Sequence, residues 1–288
     1  MSADGSVLTP VVDEPASTRE DAGLVLKVWA WLWPKLLAIV LVLVIWQMVV
    51  WSGWRPTYVL PSPAETLQTL WDMLGTERFW SALQTTLIRA VIGFALALVI
   101  GTAVGVLVAR IKPLRLAVGS LITGLQTMPS IAWFPLAILL FGLDEQAILF
   151  VVVLGAAPSI ANGVISGIDH VPPSFVRLGK VLGAGTVSLY RDIVLPAAMP
   201  AYVSGLTQGW AFAWRSLMAG ELLVIIAEKP SLGANLEFAR QFSKAPQLLA
   251  TMLVILIIGM LVDGLFSAYA RRMRRRRHRH HLSRSDAE

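Results

Sequence analysis

Residues 171–200 have the sequence VPPSFVRLGKVLGAGTVSLYRDIVLPAAMP, a segment of mixed polarity between two long apolar runs. Pro172 and Pro173 fit the first turn of a helix, where a residue without an N–H loses no hydrogen bond. Gly183 fits the end of that helix, because glycine adopts the left-handed conformation without strain. Between them runs an apolar stripe at helical spacing, formed by Phe175, Leu178 and Leu182.

We place Arg177 and Lys180 on the other faces of this short helix. Thr186 is in position to cap a second short helix that runs to Arg191, and Pro196 marks the start of a longer one. A helix, a glycine turn and a second helix between two membrane spans form a projecting element. Such an element needs a groove on another protein to cover its apolar stripe.

The spacing in this segment resembles the signature loop of the membrane subunits of bacterial ABC importers. That loop has the pattern E-A-A, three residues, glycine, nine residues and I-x-L-P, and its later part is matched by Gly183, Ile193, Leu195 and Pro196. The E-A-A positions hold Arg177, Leu178 and Gly179. Gly179 keeps a small residue there, whereas Arg177 reverses the acidic charge. The resemblance implies that residues 171–196 couple the chain to a cytosolic ATPase. Within this segment, Phe175, Lys180 and Leu182 are expected to share that role.

The composition indicates a membrane protein. Hydrophobic residues make up 56% of the 288 residues, charged residues make up 15%, and the mean hydropathy is +0.68. Apolar runs of about 20 residues recur along the chain, which is the length that a helix needs to cross a bilayer. The sequence therefore predicts an all-α, polytopic protein with one membrane domain. The chain contains no cysteine, which excludes disulfides and thiolate metal sites.

Six transmembrane helices are predicted from the apolar runs, at about residues 33–51, 83–109, 116–143, 147–168, 197–226 and 248–269. The third run contains Pro129 and Pro135, so it is either one kinked span or two half-spans. Gly101 and Gly105 form a G-x-x-x-G motif in the second run, which permits close helix packing. Residues 63–74 are predicted to form an amphipathic surface helix.

The chain divides into a leader at residues 1–32, a transmembrane domain at 33–270 and a basic tail at 271–288. Acidic residues, prolines and serines in the leader predict a disordered cytosolic segment. The tail has eight arginines and three histidines, and the short loops are basic on the same side. Both termini are therefore predicted to be cytoplasmic in a multi-pass protein of the plasma membrane. We interpret the tail as an anchor on anionic lipid, with no nucleic-acid partner and no metal site.

The chain lacks the sequence patterns of the common catalytic sites. The phosphate-binding loop G-x-x-x-x-G-K-[ST] is absent, so the chain is not predicted to hydrolyse ATP. The H-E-x-x-H and G-x-S-x-G motifs and a paired-carboxylate cluster are also absent. The sequence therefore predicts a protein that is not an enzyme, has no catalytic residues and binds no cofactor of its own.

Polar and aromatic side chains within the apolar runs are candidates for a substrate pathway, because charges and amides in a bilayer usually face a cavity or a partner. The set comprises Gln126, Met128, Ser159, Asn162, Gln208, Trp210, Trp214, Arg215 and Glu221. Arg215 could contact an anionic substrate, or it could pair with Glu221 or with another helix. A separation of six residues places those two on different faces of a helix. Each residue by itself fits a helix–helix hydrogen bond better, but the set surrounds proline-broken helices and predicts a pathway.

The resemblance extends over about residues 61–269. The segments MPSIAWFPLAILLFG and GLTQGWAFAWRSLMAGELL are similar to the nitrate, sulfonate and taurine branch of these importer subunits. The resemblance implies a type I importer fold, a homodimer of permease copies, a cytosolic ATPase dimer that binds ATP and Mg²⁺, and an extracytoplasmic solute-binding protein. It also implies import of a small anion by alternating access. The alternative is a self-sufficient secondary transporter or channel, which would transport its solute in liposomes without an ATPase.

Overall fold

The computed structural model describes the backbone of residues 17–285 and the side chains at 29–30, 32–111, 113–115 and 117–269. The first half of the predicted leader and the side chains of the predicted basic tail lie outside the described residues. The chain forms two compact units that divide after Pro63. Every regular element in the described part is helical, which confirms the predicted all-α class.

The helices follow one another with short connections. In chain order they are α1 (Ser17–Trp51), α2 (Pro63–Leu74), α3 (Glu77–Arg110), α4 (Lys112–Thr127), a 3₁₀ turn (Ser130–Trp133), α5 (Phe134–Phe141), α6 (Glu145–Asp169), α7 (Pro173–Val181), α8 (Thr186–Ser188), a π-helical turn (Leu189–Val194), α9 (Leu195–Leu223), α10 (Leu232–Gln241) and α11 (Ala245–Ser285). The predicted surface helix matches α2, which packs Leu70 and Met73 inward and leaves Trp71 exposed.

Four helical segments of the described part are long and apolar enough to cross a membrane: Leu32–Trp51, Glu77–Arg110, Glu145–Asp169 and Ala245–Tyr269. The pair formed by α4 and α5 adds a fifth if it is one broken span. Although α9 has 29 residues, it is not among them, because its polar side chains lower its hydropathy. The predicted membrane fold is confirmed, whereas the number of six spans is not.

The N-terminal unit consists mainly of α1. This helix begins at Ser17, so the part of the predicted disordered leader from that residue onward is helical in the structure. After the helix, Gly53 adopts a φ of +68° and turns the chain. The indole Nε1 of Trp46 donates a hydrogen bond to the carbonyl of Pro61 at 3.1 Å, which ties the following loop back to the helix.

Glycines bring α3 close to α6. A Cβ added to Gly101 would lie 2.6 Å from the carbonyl oxygen of Ala157, and one added to Gly105 would lie 2.7 Å from the Cβ of Val164. No side chain fits at either position without a shift of the neighbouring helix. The close packing predicted from the G-x-x-x-G motif is thereby confirmed, and the partner helix is α6.

The packing of α6 against α9 relies on the same device. Gly163 and Gly205 face each other, and a Cβ on Gly163 would lie 2.8 Å from the Cα of Gly205. Farther along, Gly155 lies against the hydroxyl of Ser216. Because α6 packs against both α3 and α9, it is the most buried of the apolar helices.

The third predicted run is interrupted rather than kinked. The segments Pro113–Thr127 and Ser130–Phe141 meet at an angle of 103°, and Met128 between them has an extended backbone. The second half is anchored by the buried side chains of Phe134 and Ala137. Two short helices therefore replace one continuous helix, because Pro129 cannot donate a helical hydrogen bond.

Candidate functional site

The projecting element has the predicted first half. Its first helix, α7, begins at Pro173, and Gly183 follows its end with a φ of +81°. The amide of Ala184 donates to the carbonyl of Gly179 at 2.9 Å, which closes the helix C-terminus as glycine caps commonly do. The predicted proline start and glycine stop are both confirmed.

The second half differs from the prediction in two respects. Thr186 is the first residue of α8 rather than its cap, and Gly185 occupies the N-cap position without a side-chain hydrogen bond. The backbone also stays helical from Thr186 to Leu223, so no break precedes Pro196. A π-helical turn that ends at Val194 accommodates the missing N–H of Pro196 within the helix. The second half of the projecting element is therefore continuous with α9.

The apolar stripe on this element is exposed. Phe175, Leu178 and Leu182 expose 50%, 58% and 77% of their surface, so nothing in the described chain covers them. Val181 and Val187 of the projecting element are also exposed, and we call these five residues the coupling surface. The sequence analysis missed the two valines, although Val181 lies three residues after Leu178, which is the helical spacing. Arg177 and Lys180 are exposed beside the patch.

The opposite side of α7 is packed. Gly179 is buried, and a Cβ at this position would lie 2.5 Å from Cδ1 of Ile193 and 2.6 Å from Cδ1 of Leu189. The small residue thus lets α7 rest on the π-helical turn. Among the predicted coupling residues, Gly179 and Ile193 form this internal contact, whereas Leu195 and Pro196 are exposed at the start of α9.

A cavity of about 330 Å³ opens at the break between α4 and α5. Its lining includes Gln126, Met128, Ser130, Gly155, Phe212 and Arg215. The structure therefore brings three of the predicted pathway residues, from α4, the break and α9, to one place. We call this space the break cavity.

Hydrogen bonds among amide and hydroxyl side chains border the break cavity on one side. Gln126 donates from Nε2 to Oγ of Ser159 at 3.2 Å and accepts at Oε1 from Nδ2 of Asn162 at 3.0 Å. The bonds tie the end of α4 to α6. Ser159 and Asn162 thus orient Gln126 at the cavity and lie behind it.

Arg215 lies on an exposed face of α9. Ser204 and Gln208 precede it on the same face, eleven and seven residues earlier, and all three are exposed in the single chain. The guanidinium lies 5.8 Å from the ring centroid of Phe212, and no carboxylate of the described residues pairs with it. An arginine about 12 Å from the end of a membrane helix does not face lipid stably. This face therefore requires water or a protein partner.

Trp210 and Trp214 occupy a different environment from the one predicted. They expose only 6% and 9% of their surface and belong to the core. The ring of Trp210 packs edge-on to Phe94 at 5.4 Å and lies 5.9 Å from Phe266. Because two residues rotate a helix by about 200°, Trp210 points away from Gln208 and the exposed face. Both tryptophans pack the helices together and do not line the break cavity.

Glu221 is likewise placed away from the break cavity. Its carboxylate is fully buried and accepts hydrogen bonds from Nη1 of Arg89 at 3.1 Å, from Oγ1 of Thr86 at 2.9 Å and from the amide of Gly233 at 3.1 Å. These donors neutralise and satisfy the carboxylate inside the protein. The pairing of Glu221 with another helix is thus the correct alternative, and Arg215 does not pair with it.

The same buried arginine reaches a second carboxylate. Arg89 donates from Nη2 to Glu145 at 3.2 Å, and Nζ of Lys229 lies 3.1 Å from Glu145. These four charges join α3, α6, α9 and the segment before α10. Sequence reasoning missed Arg89, although an arginine inside the second apolar run signals a buried partner.

Comparisons with known proteins agree with this architecture. The family described as "Binding-protein-dependent transport system inner membrane component" matches residues 97–275. The chain is 28% identical over 247 residues to the putative aliphatic sulfonates transport permease protein SsuC of Bacillus subtilis, covering 86% of this chain and 88% of that protein. It is 27% identical over 235 residues to the nitrate import permease protein NrtB of Synechocystis sp., covering 78% and 83%.

A solved structure shows the same fold. The MetNI methionine ABC transporter in an inward-facing conformation aligns with a TM-score of 0.58 and 20% identity, covering 68% of this chain and 96% of that chain. The region that matches the family includes the coupling surface and the break cavity. In this family the membrane component is not an enzyme, and a separate subunit hydrolyses ATP. The chain belongs to the binding-protein-dependent transport system inner membrane components and is a permease subunit of an ABC importer.

Proposed function

We propose that this permease imports a small anion of the sulfonate or nitrate type and that the break cavity is part of its pathway. The observation that carries the proposal is Arg215, a cation without a carboxylate partner among the described residues, on the lining of a cavity inside the membrane domain. The amide of Gln126 adds a neutral hydrogen-bond donor beside it. The similar permeases of Bacillus subtilis and Synechocystis are named for aliphatic sulfonates and for nitrate, which supports the same class of solute.

The exposed face of α9 supports a second permease copy. In a single chain, Arg215 and Gln208 would meet lipid, which is unfavourable for both side chains. A homodimer that places two such faces around a shared path would surround them with protein and water. The path would open to the two sides of the membrane in turn. The partner ATPase and the binding protein that family membership implies would drive and supply this cycle.

The coupling surface is the proposed contact with the ATPase, which would carry ATP and Mg²⁺. Its five apolar residues are exposed, and α7, which carries most of them, packs through Gly179 on the π-helical turn that continues into α9. A movement of the ATPase against this surface would therefore reach Arg215 through that contact and α9. Leu182→Asp tests the contact, because Leu182 is 77% exposed and its change leaves the intrachain packing intact. We expect loss of ATPase co-purification with normal membrane insertion.

Transport into liposomes tests the function as a whole. The permease, its ATPase and its binding protein are reconstituted, and ATP-dependent uptake is measured for methanesulfonate, nitrate and a neutral amino acid of similar size. We expect uptake of an anion only, and only with all components. Uptake of the neutral solute alone would overturn the proposed substrate class. Uptake without the ATPase would favour the self-sufficient transporter, which family membership argues against.

A further inference from the structure

A second cavity lies between α3, α6 and α9, away from the break cavity. It has a volume of about 290 Å³, and its walls are mainly apolar, formed by Val106, Val164, Ile168, Val194, Ala198 and Met199. One end is closed by a hydrogen bond of 2.9 Å between the hydroxyls of Thr102 and Tyr202. The other end carries Arg110 and Tyr190. We call this space the Arg110 slot.

The charge at the mouth of the slot lacks a carboxylate partner in the described part of the chain. Arg110 is the last residue of α3, is exposed, and lies 5.1 Å above the ring centroid of Tyr190. By contrast, Arg89 pairs with Glu221, and Arg115 in the next helix pairs with Asp169. The guanidinium of Arg110 therefore keeps donors available for an anion.

We propose that the Arg110 slot binds an anionic phospholipid of the cytoplasmic leaflet, with an acyl chain in the slot and the phosphate on Arg110. The basic loops place this end of α3 at the cytoplasmic surface, where the leaflet is negatively charged. An apolar slot with a cation at its mouth matches a molecule that has an apolar chain and an anionic head. A water-soluble anion would leave the apolar walls unused.

The position of the slot connects the lipid to the coupling surface. Tyr190, on which Arg110 rests, belongs to the π-helical turn. Leu189 and Ile193 of the same turn pack against Gly179 of α7. A lipid that orders Arg110 therefore orders the support of α7. This consequence rests on the proposed coupling role, whereas the lipid site itself rests on the membrane location of the chain and on the orientation predicted from its basic loops.

Lipid retention in native mass spectrometry tests the site. The purified permease–ATPase complex is incubated with phosphatidylglycerol or phosphatidylcholine, and the lipid-bound fraction is measured. We expect Arg110→Gln to lower phosphatidylglycerol retention about five-fold, which corresponds to one cationic contact at the membrane surface. Arg78→Gln, an exposed arginine at the other end of α3, is the matched control and should change nothing. Equal losses in both variants would overturn the site.

Two further measurements separate the lipid from a bare phosphate. Val106→Trp fills the apolar slot and should lower phosphatidylglycerol retention while Arg110 is intact. Soluble glycerol 3-phosphate should not displace the lipid from the wild-type complex. Displacement by glycerol 3-phosphate, or full retention in Val106→Trp, would show that the slot does not hold an acyl chain and would overturn the proposal.

ATP hydrolysis in nanodiscs tests the link to coupling. We expect phosphatidylglycerol to stimulate the wild-type complex and to lose this effect in Arg110→Gln, with the ATPase still bound in both. If lipid retention depends on Arg110 but hydrolysis does not respond, the link to the coupling surface is wrong and the lipid site stands. Loss of the ATPase from the Leu182→Asp variant is a separate result, because it reports the proposed contact between the coupling surface and the ATPase and not the lipid site.

Discussion

The guanidinium of Arg89 in α3 lies 3.1 Å from the carboxylate of Glu221 in α9, and both side chains are almost completely buried. The residues are 132 positions apart in the sequence. The pair joins two helices that both pack against α6. It also supports the first turn of α10, because Glu221 accepts a hydrogen bond from the amide of Gly233. The charges therefore hold one end of the bundle together.

Removing one member of this pair is expected to destabilise the protein strongly. Arg89→Met leaves the buried carboxylate of Glu221 without its cation, which typically costs about 3–5 kcal/mol. The double variant with Glu221→Gln should cost less than the sum of the single variants, by about 0.5–3 kcal/mol. Denaturant titration in mixed micelles measures the free energy of unfolding of each variant.

The pair of Glu237 and Arg240 in α10, in which the Arg240 side chain is 65% exposed, is the control. Arg240, with help from Gln241, holds the pKa of the Glu237 carboxyl at about 2 by donating hydrogen bonds to it. Because water screens an exposed pair, its double-variant coupling should stay below about 1 kcal/mol. Equal coupling energies for the two pairs would contradict the structural role of Arg89 and Glu221.

Arg215→Gln should impair transport without impairing assembly. The variant keeps a hydrogen-bond donor but removes the charge that faces the break cavity. We expect at least a ten-fold loss in anion uptake, equivalent to about 1.4 kcal/mol. Purification yield and ATPase binding should remain normal. Arg55→Gln, which removes an exposed arginine from the N-terminal unit, serves as the control; uptake equal to that control would exclude Arg215 from the pathway.

Gly183→Val should misplace α7 in the projecting element, because it strains the backbone of the turn. No atom lies within 4 Å of a Cβ at this position, so the strain of about 1 kcal/mol or more arises from the φ of +81°. We expect weaker ATPase co-purification and lower solute-stimulated ATP hydrolysis. Gly183→Asn should be nearly neutral, since asparagine tolerates this conformation. A Val variant that behaves like the Asn variant would show that the turn does not position α7.

Gly101→Leu should disrupt the packing of α3 on α6. The added side chain would meet the carbonyl oxygen of Ala157, which is backbone and cannot rotate away. We expect a loss of at least about 1–3 kcal/mol in the free energy of unfolding. Gly264→Leu in α11 is the control, because nothing lies within 4 Å of its added Cβ. Similar losses in both variants would argue against a specific contact.

The orientation in the membrane can be tested with single introduced cysteines, because the natural chain has no cysteine that would also react. Ser188 lies on the projecting element and Glu228 lies after α9, and both positions are exposed. The test uses the variants Ser188→Cys and Glu228→Cys. With the proposed cytoplasmic termini, an impermeant thiol reagent should label only Glu228→Cys in intact cells. Labelling of Ser188→Cys from outside would reverse the proposed topology.

The sequence by itself determined the class of the protein and the first half of its projecting element. Apolar runs of bilayer length are expected to form helices, since a helix makes all of its backbone hydrogen bonds within one segment and lipid offers none. The start of α7 and the turn at Gly183 were also predictable, because proline and glycine restrict the backbone locally. The same holds for the G-x-x-x-G contact, since only glycines permit such a close approach of two helices.

The tertiary structure decided which polar residues face a cavity and which are buried with partners. Arg215 and Glu221 belong to one helix and looked alike in the sequence, but α9 turns one toward the break cavity and the other toward Arg89. The difference depends on Arg89 and Gly233, which approach Glu221 only after distant parts of the chain pack together. Local residue preferences contain no information on such contacts, so the partner of a buried charge becomes visible only in the folded chain.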